Sequence, residues 1–236
     1  MSRIAIIPAR GGSKRIPKKN LKNFLGKPII AYSIEAALSS GLFDEVMVST
    51  DDEEIASVAL SYGASVPFLR SSENSDDFAT TIDVIDEVLK AYEKNGILYS
   101  NVCCIYPTSP LLKTESLNLG LSLMNKKKFD SVFPVVSYSY PIWRSVKVLD
   151  DGKVEMFWPN NLNARSQDLQ AAFHDAGQFY WFDVSKFNKD CTVFGPNSGV
   201  IKLNELEVQD IDTLVDWKIA EIKYNILNEK KDSYKS

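Results

Sequence analysis

Apolar positions follow two alternating rhythms along the first half of this chain. Short, nearly unbroken apolar runs read as strands buried on both faces: residues 3–9 (RIAIIPA), 45–50 (EVMVST), 101–106 and 131–136. Between them lie segments with the three-to-four spacing of amphipathic helices. Residues 28–39 place Ile30, Ile34, Ala37 and Leu38 on one face, and a second segment carries Ile55, Val58, Ala59 and Tyr62. Residues 80–95 and 114–127 read as two more helices. Pro28 suits a first helical position. Asp51 and Asp52 are placed to cap the second helix, which Gly63 ends. Residues 65–69 read as a short further strand. This alternation predicts an α/β fold with a mainly parallel, doubly wound sheet.

The rhythm breaks over residues 137–175, which are rich in aromatics, prolines and turns. Residues 146–149 and 154–157, joined through Asp150-Asp151-Gly152-Lys153, predict a hairpin there. Strand pattern returns at 179–183 and near 200–203. A last amphipathic helix, about 213–228, carries Leu214, Trp217, Ile219, Ala220, Ile222 and Leu227. The polar residues 229–236 are expected to fray. The chain is read as one domain, residues 1–228, with 137–175 as an inserted excursion.

A length of 236 residues suits one such domain. No apolar run reaches the roughly 18 residues of a membrane span, and the apolar start is too short for a signal peptide. A cytoplasmic protein is therefore expected. Three cysteines (Cys103, Cys104, Cys191) make no disulfide framework and read as buried free thiols. The net charge is −4, but residues 1–27 hold Arg3, Arg10, Lys14, Arg15, Lys18, Lys19, Lys22 and Lys27 with no acid. A local basic field on an acidic chain suits a small, highly charged anion better than a nucleic acid.

That field follows the first strand as Pro8-Ala9-Arg10-Gly11-Gly12-Ser13-Lys14-Arg15. Two glycines let the backbone turn sharply and aim successive N–H groups at one point. Arg10, Lys14 and Lys19 supply charge for a triphosphate. Neither the P-loop nor the dinucleotide fingerprint is present, so ATPase and dehydrogenase readings lose their main support. A second constellation is Asp210-Ile211-Asp212. Residues two apart in an extended segment share a face, so the two carboxylates can share one hard cation. Asp212 or Thr213 can equally be the cap of the last helix.

The segment IPARGGSKRIPKKNL resembles the opening motif of the cytidylyltransferases that activate sialic-acid-like sugars. LFDEVMVSTDDEEIA, YPTSPL and QDIDTLVDW agree in the same order, so the likeness covers about residues 3–225. The resemblance implies a Rossmann-like nucleotidyltransferase fold with a small inserted dimerisation segment. It also implies transfer of CMP from CTP to a nine-carbon sugar acid, with Mg2+ and a homodimer. HDAGQFYW (174–181), and Tyr106 where sialic acid enzymes carry Gln, lean towards pseudaminic acid as acceptor. Sialic, legionaminic or octulosonic acids are the alternatives. A non-catalytic nucleotide-binding module is the reading from another class, and the retained basic loop and acidic pair argue against it.

Carried over by resemblance, Ala9, Arg10, Gly11, Gly12, Ser13, Lys14, Lys19 and Asn20 face the nucleotide phosphates. Arg70, Asp76, Thr80 and Thr81 lie near the nucleotide, with Thr81 a cytosine contact. Tyr106, Pro107 and Thr108 line its base or ribose side. Arg165, His174, Gln178 and Phe179 fall on the acceptor side, and His174 is open to a base, donor or structural role. Asp210 and Asp212 become the magnesium ligands. With Arg10, Lys14 and Lys19 they form the expected catalytic set.

Overall fold

The computed structural model describes residues 2–76, 78–190 and 192–232. Its strands are β1 (Arg3–Pro8), β2 (Asn23–Phe24), β3 (Lys27–Pro28), β4 (Glu45–Ser49), β5 (Asn101–Ile105), β6 (Ser131–Ser137), β7 (Val146–Val148), β8 (Val154–Met156), β9 (Phe173–Asp175), β10 (Phe179–Asp183) and β11 (Ser198–Leu203). Its helices are α1 (Ile29–Ser40), α2 (Glu53–Ser61), α3 (Thr81–Lys94), α4 (Thr114–Lys127), α5 (Val184–Asp190) and α6 (Leu214–Asp232). The main sheet runs β11-β6-β10-β5-β1-β4, with β9 pairing β6. β1, β4, β5, β6 and β11 share one direction, while β9 and β10 run against them.

Alternation along the buried strands sorts side chains into two cores. Ala5, Ile7, Val48, Cys103, Ile105, Phe179 and Trp181 face a layer holding Ile30, Ile34, Ile55, Leu117 and Leu121 of α1, α2 and α4. Ile4, Ile6, Met47, Val102, Cys104, Tyr180 and Phe182 face Ile85, Val88 and Tyr92 of α3 and Phe187 of α5. The result is helix, sheet and helix in three layers. Cys103 and Cys104 are free and fully buried, and burial pushes the Cys104 thiol up to about 12. Cys191 lies outside the described residues.

Residues 65–69 do not form a strand. Ser65 makes one parallel bridge to Met47, and Pro67 then removes the next donor on that side. The 213–228 helix runs further than expected, to Asp232, so residues 229–232 are helical and 233–236 lie outside the description. Its inward face is Trp217 and Ala220, packed with Phe24, Tyr32 and Ile211, whereas Leu214, Ile219 and Ile222 are exposed. The hairpin of the excursion is β7 with β8, paired antiparallel and apart from the main sheet. No helix among the described residues is long and apolar enough to cross a membrane.

Candidate active site

Where β1 and β5 end side by side, the chain leaves β1 toward β4 on one flank and reaches β5 on the other. Such a divergence opens a crevice at the carboxyl ends of parallel strands. A cavity of about 550 Å3 lies there, lined by Arg10, Ser13, Lys14, Arg15, Lys19, Asn20, Arg70, Thr80, Thr81, Tyr106, Pro107 and Thr108 among others. Five of these side chains are cationic, and among the described lining residues none is a carboxylate. The first turn of α3 also faces the cavity through Thr80 and Thr81, adding the positive end of a helix dipole.

The basic loop is fastened at each turn. The Asn20 amide donates to the Arg10 carbonyl at 3.0 Å, and the Arg10 guanidinium donates to the Asp76 carbonyl at 2.8 Å. Lys18 adopts a left-handed φ of 50° and pairs with Glu54 of α2 at 2.5 Å. Asp51 and Asp52 divide their labour. Asp52 caps α2, accepting from Glu54 N and Ile55 N. Asp51 accepts from Gly11 N at 2.9 Å, so it belongs to the loop. A Cβ on Gly11 would stand 2.7 Å from Asp52 Oδ2 and 3.0 Å from Asp52 Cβ. Asp52 is held by its capping bonds and cannot simply turn away. Gly11→Ala is therefore expected to destabilise the protein by about 1–3 kcal/mol, as overpacking does, and to weaken nucleotide binding. Denaturant unfolding and nucleotide titration check both.

Not every expected nucleotide residue reaches the cavity. Ala9 is fully buried and its N–H donates to Ser49 O, while Gly12 is exposed beyond the lining. Asp76 also stands outside: its carboxylate accepts from Phe78 N and Ala79 N, organising the loop that holds Arg10. Thr80 lines the cavity, but its hydroxyl is committed to capping α3 with Asp83. Arg70 is buried and bonded to Ser49 through Nε and Nη2, and burial lowers its pKa. Tyr106 is held through its backbone, its N–H donating to Gln178 O and its carbonyl accepting from Ser33 Oγ. Burial pushes its hydroxyl pKa up, and Thr81 partly offsets that.

The acidic segment meets the loop from the other side. Lys19 Nζ donates to Ile211 O at 2.7 Å and lies 3.8 Å from Asp212 Oδ1, while Arg15 Nη1 lies 2.5 Å from Asp212 Oδ2. Ile211 is buried against Phe24 and Trp217. Asp210 carries a raised pKa, first from desolvation and then from the charge of Asp212. Desolvation lowers that of Lys19. The cap of α6 is built elsewhere: Thr213 Oγ1 accepts from Asp216 N, and Asp216 Oδ2 accepts from Thr213 N and Asp212 N. The Asp212 carboxylate is thereby left out of capping. Arg15, one basic residue among several in the sequence, joins the site as a cavity wall and as the partner of Asp212.

The four acceptor-side residues do not gather at this cavity. Arg165 is exposed in the excursion and forms a two-pronged pair with Asp168. His174 is exposed on β9, with Nδ1 2.8 Å from Asp175 O and its ring 4.8 Å from that of Tyr138. Phe179 is fully buried beside Trp181, so it has no surface to offer a sugar; strand alternation sends Tyr180 instead to the layer of Tyr106. The Gln178 side chain is buried and donates to Glu207 O at 2.5 Å.

Comparison with known proteins bears on the family and the fold. The family profile described as Cytidylyltransferase matches residues 4–213. The chain is 44% identical over 231 residues to a pseudaminic acid cytidylyltransferase of Campylobacter jejuni subsp. jejuni serotype O:2, covering 97% of this chain and 99% of the relative. It is 33% identical to the CMP-N,N'-diacetyllegionaminic acid synthase of Legionella pneumophila, covering 92% of this chain and 94% of that one. Among solved structures, a CMP:2-keto-3-deoxy-manno-octonic acid synthetase complexed with CTP superposes with a TM-score of 0.69 over 97% of this chain and all of the other, at 18% identity, and so shares the fold. A nucleotidyltransferase sheet, a cationic crevice at its strand ends and a family match across most of the sequence lead to one assignment: the chain belongs to the cytidylyltransferase family.

Proposed function

We propose that this cytidylyltransferase joins CMP, taken from CTP, to the anomeric hydroxyl of a nine-carbon sugar acid, with pseudaminic acid the preferred acceptor. The observation that carries the reading is the cavity itself: five cationic side chains line it, and the Asp210–Asp212 segment adjoins it through Lys19 and Arg15. The 44% identity to a pseudaminic acid cytidylyltransferase supports the acceptor.

In the proposed reaction the anomeric oxygen attacks the α-phosphorus. The bond from that phosphorus to the oxygen bridging it to the β-phosphorus breaks, pyrophosphate leaves, and the hydroxyl proton is released. Arg10, Lys14 and Lys19 hold the triphosphate and offset charge on the leaving group, since positioning and electrostatics do most of the work in such transfers. Arg70 and the first turn of α3 add fixed positive potential.

Magnesium fits the acidic pair. Asp210 and Asp212 lie close enough for the charge of one to raise the pKa of the other, and the protein's share would be these two carboxylates, with Arg15 and Lys19 giving way at Asp212. That donor set suits an ion that completes its shell with water and phosphate oxygens. Asp210 and Asp212 would hold it, and when bound it supplies charge neutralisation at the phosphates. A homodimer closed through the excursion belongs to the same reading, supported by the exposed Tyr140, Val148, Phe157 and Leu162 there.

The test is pyrophosphate release from CTP and magnesium across pseudaminic, legionaminic, sialic and octulosonic acids, with products weighed by mass spectrometry. The CMP ester of pseudaminic acid should form fastest. Faster reaction with another acid would reassign the acceptor, and no pyrophosphate with any of them would overturn the transferase reading.

A further inference from the structure

The segment that carries the acidic pair is held by the buried Val208 and Ile211 and by a series of bonds to its backbone. A 3-10 turn, Glu205–Glu207, is capped by Asn204 and leads through Val208 to Asp210. Lys223 of α6 donates to the carbonyls of Glu205 and Val208. Lys19 takes the carbonyl of Ile211. The Glu207 carboxylate is paired with Lys113, ahead of α4. The Glu207 carbonyl, three residues before Asp210, is taken by Gln178 at 2.5 Å.

Gln178 differs from the other holders in where its own backbone sits. Its carbonyl accepts from Tyr106 N at 2.8 Å, and Tyr106 lines the nucleotide cavity. One buried residue therefore ties the rim of the cavity to the segment bearing Asp210 and Asp212. Removing its amide would leave a half-buried carbonyl without its donor, a change with a real desolvation cost. A shift of this carbonyl toward water would restore a partner, and it would pull on Asp210 three residues on against the hold of Lys223 and Lys19.

We propose that Gln178 is a positioning residue: through Glu207 it sets the place of the Asp210–Asp212 pair relative to the nucleotide, and it does not touch the sugar. The inference rests on the transferase reading above, in which those carboxylates hold a divalent ion. Groups bonded directly to metal ligands typically contribute about 10–100-fold to metal affinity, and Gln178, acting through the backbone, is expected at the low end of that range.

The experiment titrates Mn2+ into the full chain with CTP and no sugar acid, reading free Mn2+ by electron paramagnetic resonance against the same CTP without protein, so that chelation by CTP alone is subtracted. Wild type is compared with Gln178→Met, which fills the space without an amide. Gln178→Asn, whose amide stops one methylene short, serves as the second variant should the first fail to fold. The variants should bind Mn2+ about tenfold more weakly. Turnover lost at limiting magnesium should return at high magnesium, with the sugar KM unchanged. Unaltered Mn2+ affinity would overturn the proposal, and a raised sugar KM with unaltered Mn2+ affinity would return Gln178 to the acceptor side. Wild type that binds no Mn2+ beside CTP would overturn the ion-holding role of the pair, and this inference with it.

Discussion

Asp212→Asn should lower CMP transfer by about 10^2–10^3-fold, the usual cost of removing one preorganised electrostatic group, while the protein unfolds at nearly its original temperature. The two halves of that expectation come from different contacts. Asp212 Oδ2 meets Arg15 at 2.5 Å and Oδ1 lies 3.8 Å from Lys19, so the substitution loosens two cations that line the nucleotide cavity as well as removing an oxygen donor. The cap of α6 is untouched, because Thr213 and Asp216 provide it. Asp216→Ala should behave in the opposite way, losing about 1 kcal/mol of stability as a broken cap does. Turnover at varied magnesium and thermal unfolding of both variants check the contrast. Full activity of Asp212→Asn at limiting magnesium would remove the acidic pair from the mechanism.

The second large effect is expected at Lys19. Its ammonium donates to the Ile211 carbonyl and lies in the field of both Asp210 and Asp212, while the side chain lines the cavity. Lys19→Met keeps much of the volume and removes the charge. The KM for CTP should rise by about 10–100-fold, in line with about 1.5–3 kcal/mol for a hydrogen bond to a charged group, with a smaller change in the sugar KM. Calorimetric titration of CTP and steady-state kinetics measure it. Unaltered CTP affinity together with unaltered turnover would take Lys19 out of the site.

Much of this architecture can be read from local rules. The helix expected at 114–127 is α4, Thr114–Lys127, and the hairpin expected after residue 146 is β7 with β8. Those segments have periodicity or turn chemistry that acts within a few residues. Residues 65–69 misled because apolar content says nothing about donors, and Pro67 has none to give. Phe179 misled for another reason. Its strand is apolar on both faces, Phe179 to Phe182 being buried throughout, so a period of two cannot say which side meets a ligand. The basic loop was legible because its charges follow a strand directly. The separate duties of Asp51 and Asp52, and of Asp212 and Asp216, were not. In each pair both residues carry the same chemistry, and only the partner's position distinguishes a cap from a site.

One detail of the sheet bears on how this scaffold can be altered. Ser137 and Phe173 are register partners at the end of the β6–β9 ladder, and Tyr138 N donates to Ala172 O just beyond. The chain thus departs and returns through a clasp two residues wide. Replacing residues 139–171 with a short turn should therefore leave the seven-stranded sheet and its crevice standing, with the Ser139–Glu205 bond as the link given up. The sheet and its cationic crevice are thus separable from the excursion by a single cut and rejoin at the clasp.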